Sequence, residues 1–268
     1  MRDRAAVLGA LGGSLSVCLV TNTAIYLSSD SRYGGGPAHS RDSARKLVPW
    51  GATALCGISG LIRFTRTEFD LRRAVITNES SLDLAEVIGE LIPGPAGADE
   101  PAGANALARE LYHALLPLWW RLARGLDEPF LAPHRLTDLL YANRGPSGLA
   151  FIASIPIRHC LRRSDSGFYE SLIQLPQVRP LFHGRAERAC FFARGRTECF
   201  DSIPLGRDSS DEDAVRVLNA IFQRAAGDPR CASVVGGPVD IAVIDSSGRH
   251  WLQQKTCNLA AKAIVRDW

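Results

Sequence analysis

Hydrophobic and polar positions divide the chain into a strand-rich start, a helical middle and a mixed end. Residues 15 to 28, LSVCLVTNTAIYLS, form two β-rich runs interrupted by Thr21-Asn22-Thr23, a polar trio suited to a hairpin turn. Asp30-Ser31-Arg32 follows, and then a Gly34-Gly35-Gly36-Pro37 loop. RKLVP and ATALCGIS, within residues 45 to 59, predict two further short strands on either side of Trp50-Gly51. Four strands in such quick succession pair most simply as antiparallel hairpins.

From Gly60 the pattern changes. Leu61, Phe64, Phe69 and Leu71, spaced among charged residues, predict a helix over 60–73. The serines at the start of 81–91 are natural caps for a second helix there. Pro93 to Gly103 reads as a loop. A third helix is expected over 105–124, with Trp119 and Trp120 near its end as core or interface anchors, and a short one over 136–141.

Strand character returns at Gly148 to Ile157, and Ala189 to Ala193 with Cys199 to Ile203 predict another strand pair. Residues 209–226 open on an acidic first turn and carry Val215, Leu218, Ile221 and Phe222 at helical spacing. Val239 to Asp245 predicts a strand, Ser246-Ser247-Gly248 a turn, and His250 to Gln253 its partner. The order strands, helices, strands, helix, strands is neither a βαβ alternation nor an all-β pattern. It predicts an α+β fold with antiparallel sheets and helices packed outside them.

Hydrophobic residues make up 46% and charged residues 22% of the 268, enough apolar material for a real core. A net charge of +3 gives no reason to expect a nucleic acid or a membrane surface as partner. No unbroken apolar run reaches the length of about 18 residues that a membrane-spanning helix needs. Arg2 and Arg4 before Ala5 to Val20 have the outline of a signal peptide, but Gly12-Gly13 splits the run and Ser14 to Ser28 alternates like a strand. A cytoplasmic location is therefore expected. Cys18, Cys56, Cys160, Cys190, Cys199, Cys231 and Cys257 are odd in number and include no C-x-x-C, which predicts reduced thiols rather than a disulfide framework. The histidines show no ligand spacing, so no metal and no cofactor is expected.

Lys46, Lys255 and Lys262 are the only lysines among 31 basic residues. Arginine stays charged, whereas a buried lysine can exchange its proton. Lys46 also belongs to a regular series. Ser14 follows Gly13, Asp30 lies sixteen residues on, Lys46 sixteen beyond that, and Gly60 fourteen later.

In that series the sequence resembles the proteasome β-subunit superfamily of N-terminal-nucleophile hydrolases. The match runs without a gap through SLSVCLVTNTAIYLSSDSR, ARKLVP and TALCGISG, and returns in GGPVDIAVIDSSG as a late glycine pair and strand. The resemblance implies a four-layer αββα sandwich of two antiparallel sheets between helices. It implies a propeptide over residues 1–13 and one domain over 14–268, with a helical insertion around 92–147. Ser14 would be the nucleophile, Asp30, Arg32 and Lys46 its polar support, and Gly60 the oxyanion donor. Thr197 is the nearest counterpart of the family's mid-chain serine.

The chemistry explains these residue types. A serine hydroxyl needs a base, and an N-terminal residue carries one, since its α-amine is partly neutral near pH 7. A lysine held close lowers the pKa of the hydroxyl and keeps the amine neutral, while an aspartate orients that lysine. A glycine N–H can approach a developing oxyanion because no side chain intervenes.

The sequence departs from the family in having serine where threonine is usual. Ala232 and Val235 stand where the family has a polar pair, with Asp228 and Ser233 as the nearest substitutes. The expected function is hydrolysis of peptide amide bonds after autolytic exposure of Ser14, in a homo-oligomer. The alternatives are a non-catalytic structural subunit and a small-molecule amidase.

Overall fold

The computed structural model describes residues 14–32, 44–60, 62–70, 75–91, 100–119, 134–163, 169–200 and 210–255. Strands β1 (Leu15–Val20) and β2 (Ile25–Ser29) form the hairpin expected around Thr21, whose hydroxyl accepts from the Ala24 N–H at 3.0 Å. β3 (Leu47–Trp50) and β4 (Ala54–Gly60) form the second, with Gly51 in the left-handed region at the turn. β5 (Arg63–Asp70) and β6 (Val75–Asp83) form a separate two-stranded sheet.

Two helices follow, α1 (Leu84–Glu90) and α2 (Glu100–Trp119). The chain then builds β7 (His134–Arg144), β8 (Ala150–Arg163), β9 (Tyr169–Gln174), β10 (Arg179–Gly184) and β11 (Cys190–Gly195). Helix α3 (Asp211–Gly227) precedes the last hairpin, β12 (Asp240–Asp245) and β13 (Gly248–Gln253).

One sheet has the order β11-β1-β2-β12-β13 and the other β10-β8-β7-β4-β3, with β9 paired to β8. Every pairing within them is antiparallel. The sheets pack face to face through Cys18, Val20, Leu27, Leu55, Leu140 and Ile152. On the outer side of the first sheet, α3 buries Leu218, Ile221 and Phe222 against Leu15, Val17 and Val243. On the outer side of the second, α1 and α2 bury Ile88, Leu107 and Leu111 against Cys56, Ile58 and Tyr141. The result is an α+β fold in four layers, helix, sheet, sheet, helix. α3 begins where its sequence says it should: Ser210 Oγ accepts from the Asp213 N–H and Asp213 returns the bond, a complete capping box.

Several local expectations fail for physical reasons. Residues 63–70 form a strand, not a helix: Phe64, Thr65, Thr67 and Phe69 suit an extended chain, and β6 supplies the partner that local spacing cannot reveal. Residues 134–144 likewise form a strand and not the short helix expected over 136–141. β7 lies between β4 and β8, and bonds to both override its leucine-rich local preference. Helix α2 starts at Glu100, inside the stretch read as loop, because Pro101 sits in the first turn, where its missing N–H costs nothing. Helix α1 is capped by Asp83, whose side chain accepts from the Ala85 N–H, and not by the serines before it.

Thr197–Cys199 is a 3₁₀ turn where a strand was expected to begin; residues 201–203 of that expectation lie outside the described residues. The Trp119 and Trp120 side chains lie outside them too, as do residues 1–13. Within 92–147 the structure places α2 and β7. Cys231 is disulfide-bonded, which corrects the expectation that all seven cysteines are reduced; Cys18, Cys56 and Cys190 are free. No helix among the described residues is long and apolar enough to cross a membrane.

Candidate active site

Ser14 immediately precedes β1, and the groups bonded to it come from the end of β4 and from the turn after β11. β1 pairs with β11, so Leu15 faces Gly195, and the Arg196 N–H donates to the Ser14 carbonyl at 3.0 Å. Gly195 has a φ of +97°, and a Cβ there would lie 1.9 Å from the Ser14 carbonyl oxygen. Only glycine lets β11 pass this close.

The second sheet presents the end of β4 to the same point. The Gly60 N–H donates to Ser14 Oγ at 3.2 Å, and the Ser14 hydroxyl donates to the Ile58 carbonyl at 3.3 Å. Gly60 has a φ of +104°, and a Cβ there would lie 2.6 Å from the Leu136 carbonyl oxygen. Its conformation turns the N–H toward Ser14 at a position where no other residue fits.

Asp30 is the hub behind Ser14. Its Oδ1 accepts from the Leu15 N–H at 3.1 Å and from Lys46 Nζ at 3.0 Å, and its Oδ2 accepts from the Gly236 N–H at 3.1 Å. One carboxylate thus joins the start of β1, Lys46 just ahead of β3, and the late glycine pair. Lys46 also donates to the Arg32 carbonyl. Asp30 and Lys46 side chains are both 0% exposed. Burial pushes the Asp30 carboxyl above the ordinary aspartate range, while Lys46 and the two backbone N–H donors act in the opposite direction. Burial also pushes the Cys18 and Cys56 thiols, in the apolar cores on either side of the second sheet, well up, which keeps them protonated.

Arg32 reaches across to the late loop. Its guanidinium donates to the Ala232 carbonyl at 2.6 Å and lies against Gly236, where a Cβ would come within 2.7 Å of its Cζ. The Gly236 carbonyl accepts in turn from the Ser31 and Arg32 N–H groups, at 3.2 and 3.0 Å.

Ser14, Asp30, Arg32, Lys46 and Gly60 are therefore joined in one bonded network. Thr197 lies in the turn directly after Arg196, and the bond to Ser14 comes from Arg196 instead. Asp228 ends α3 and binds Arg230 through both carboxylate oxygens, and Ser233 is exposed.

Two residues at the site escaped the sequence. Ser59, between Ile58 and Gly60, is buried with a hydroxyl that has no partner, and a Cβ on Gly195 would lie 3.1 Å from its own. Its only sequence signal was its place beside Gly60. Arg196 had none, because the pairing of β1 with β11 brings it there across a long stretch of chain. Among the described residues no group of histidine, cysteine and carboxylate side chains could hold a metal ion.

No protein-family model matches the chain, and no curated protein matches it either. Among solved structures it is similar to an Anbu (Gly-1) mutant from Hyphomicrobium sp. strain MC1. The two are 12% identical, with 91% of this chain and 86% of that one covered at a TM-score of 0.49. So distant a likeness carries no chemistry from one chain to the other.

Proposed function

We propose that this chain is a proteasome-like N-terminal-serine hydrolase that cleaves peptide amide bonds. The observation that carries the reading is the pair of bonds meeting at Ser14: an N–H from Gly60 on its hydroxyl, and Asp30 binding both the adjacent Leu15 N–H and Lys46. The Gly60 N–H sits beside the nucleophile's oxygen, close enough to turn to the oxyanion that forms on a carbonyl attacked by Oγ.

Maturation comes first. Ser14 Oγ attacks the Gly13 carbonyl carbon, the Gly13–Ser14 C–N bond breaks, and its nitrogen takes up a proton to become the α-amine. Water then hydrolyses the resulting ester, restoring the hydroxyl and leaving Gly13 as a carboxylate. In turnover the neutral α-amine accepts the Ser14 proton as Oγ attacks a substrate carbonyl and returns it to the departing amine; water then hydrolyses the acyl ester, releasing the carboxylic acid product and restoring the Ser14 hydroxyl. Lys46, held by Asp30, favours the neutral amine through like-charge repulsion. The resemblance further implies a homo-oligomer acting on peptides.

A second reading, a structural subunit without turnover, is favoured by the complete burial of Ser14 and by Ala232 and Val235 in the late loop. Intact mass and N-terminal sequencing of untagged protein separate the two. The hydrolase reading expects a wild type beginning SLSVCL, a Ser14→Ala variant that keeps residues 1–13, and turnover of peptide amides by the wild type alone. A leader kept by both proteins overturns it in favour of the structural subunit.

A further inference from the structure

Lys255 is, like Lys46, one of three lysines in an arginine-rich chain, and the proposed reaction does not use it. Lys255 follows β13, and its side chain is 5% exposed, paired at 3.0 Å with Asp240, itself 3% exposed. The Lys255 backbone N–H donates to the other Asp240 oxygen at 2.9 Å, so both carboxylate oxygens are taken by one residue. Lys255 Nζ also donates to the Ala44 carbonyl.

That last bond gives the pair a meaning. Ala44 is two residues before Lys46, and its N–H donates to the Ser31 carbonyl at 3.0 Å, next to Asp30. Asp240 in turn lies directly across from Ser29 in the β2–β12 pairing. The second buried pair therefore meets the chain on both sides of the first: at Ser29 just before Asp30, and at Ala44 ahead of Lys46, with Ala44 in turn bonded to Ser31. An ammonium buried to this degree in an arginine-rich chain is a specific choice, since a guanidinium would need more room and more acceptors.

We propose that Lys255 and Asp240 are positioning residues that set the Lys46–Asp30 distance by clamping Ala44. The catalytic consequence rests on the hydrolase reading above; the geometric one does not. With the clamp gone, Ala44 loses one of its two anchors and Lys46 shifts against Asp30. A displacement of this size changes kcat rather than KM, because it alters groups acting in the transition state and not those that bind substrate.

The test uses the lysine count. The full chain labelled with ¹³C at lysine Cε gives three signals, assigned by Lys46→Arg, Lys255→Met and Lys262→Arg. The proposal expects the Lys46 signal to move in both Lys255→Met and Asp240→Asn, with far-ultraviolet circular dichroism unchanged. It also expects kcat on a peptide amide to fall about ten-fold, with KM within two-fold of wild type. A folded variant whose Lys46 signal stays in place overturns the proposal. Loss of the fold in both variants overturns it as well, since the pair is then simply structural. A wild type without turnover sinks the hydrolase reading but leaves the Lys46 signal to decide the clamp.

Discussion

The space between the two sheets has two ends built from the same strands, and they are filled in opposite ways. Toward the β1–β2 turn the inward positions are Cys18, Val20, Ile25, Leu27, Leu140, Ala142 and Ile152. Toward Ser14 they become Ser14, Ser16, Ser59, Asp138 and Ser154, all buried. Ser16 and Ser29 share a bond at 3.0 Å, and Ser154 donates to Asp138 at 2.6 Å. A chain selected only for stability would continue the apolar filling, because buried polar groups must each find a partner. Ser59 and Ser31 have hydroxyls without one. The apolar end holds the sheets together, and the polar end holds the side chains around Ser14 in fixed bonds.

Substitutions at the two ends should separate these roles. The largest effect is expected from Asp30→Ala, which strips Lys46 of its buried carboxylate. An uncompensated buried charge costs about 3–5 kcal/mol, and urea unfolding should register it together with loss of any Ser14 chemistry. Next comes Leu27→Ala at the apolar end, with a cost of about 3 kcal/mol from lost burial and the cavity left behind. Its signature is the reverse: lower stability with Ser14 reactivity intact. If Leu27→Ala abolishes reactivity in folded protein, the two ends are not separable.

Ser59→Ala should be close to neutral or raise stability by up to about 1 kcal/mol, since it removes a hydroxyl buried without a partner. A clear loss would mean that Ser59 makes a bond in solution that the structure does not have.

The smallest effect lies outside both ends. The Arg230 side chain holds the Asp228 carboxyl at about 2, below its ordinary value of 3.8. A lowered pKa in the folded state gives stability that is present above pH 4 and lost as pH falls through 2. Asp228→Asn should flatten the decline of Tm over that window, and added salt should shrink the difference because the site is exposed. An unchanged acid limb in Asp228→Asn would show that the Arg230 contact does not form in solution.

The layout of the first sixty residues was legible because it is local. Thr21-Asn22-Thr23 and Trp50-Gly51 turn the chain, and β-rich runs on either side must pair with their neighbours. The fixed offsets among Ser14, Asp30, Lys46 and Gly60 singled out residues that the structure brings together, since each lies at or beside the end of one of these strands. Helix α3 was equally plain, with its acidic first turn and apolar stripe. By contrast, β5 and β7 were read as helices: β5 is a strand only through its hairpin with β6, and β7 takes its identity from a central place between β8 and the distant β4. Cys231 belongs to no C-x-x-C, so its disulfide left no mark in the cysteine spacing.

The sequence by itself determined the antiparallel start, the class of fold and which four residues to watch. The tertiary structure alone decided that Gly195 and Arg196 close over Ser14, that Arg32 reaches the loop at Ala232, and that a second lysine braces the first. Local patterns fix turns and faces because they depend on neighbours along the chain. Contacts such as Arg196 to Ser14 join residues far apart in sequence, and they exist only once two sheets and their loops have packed.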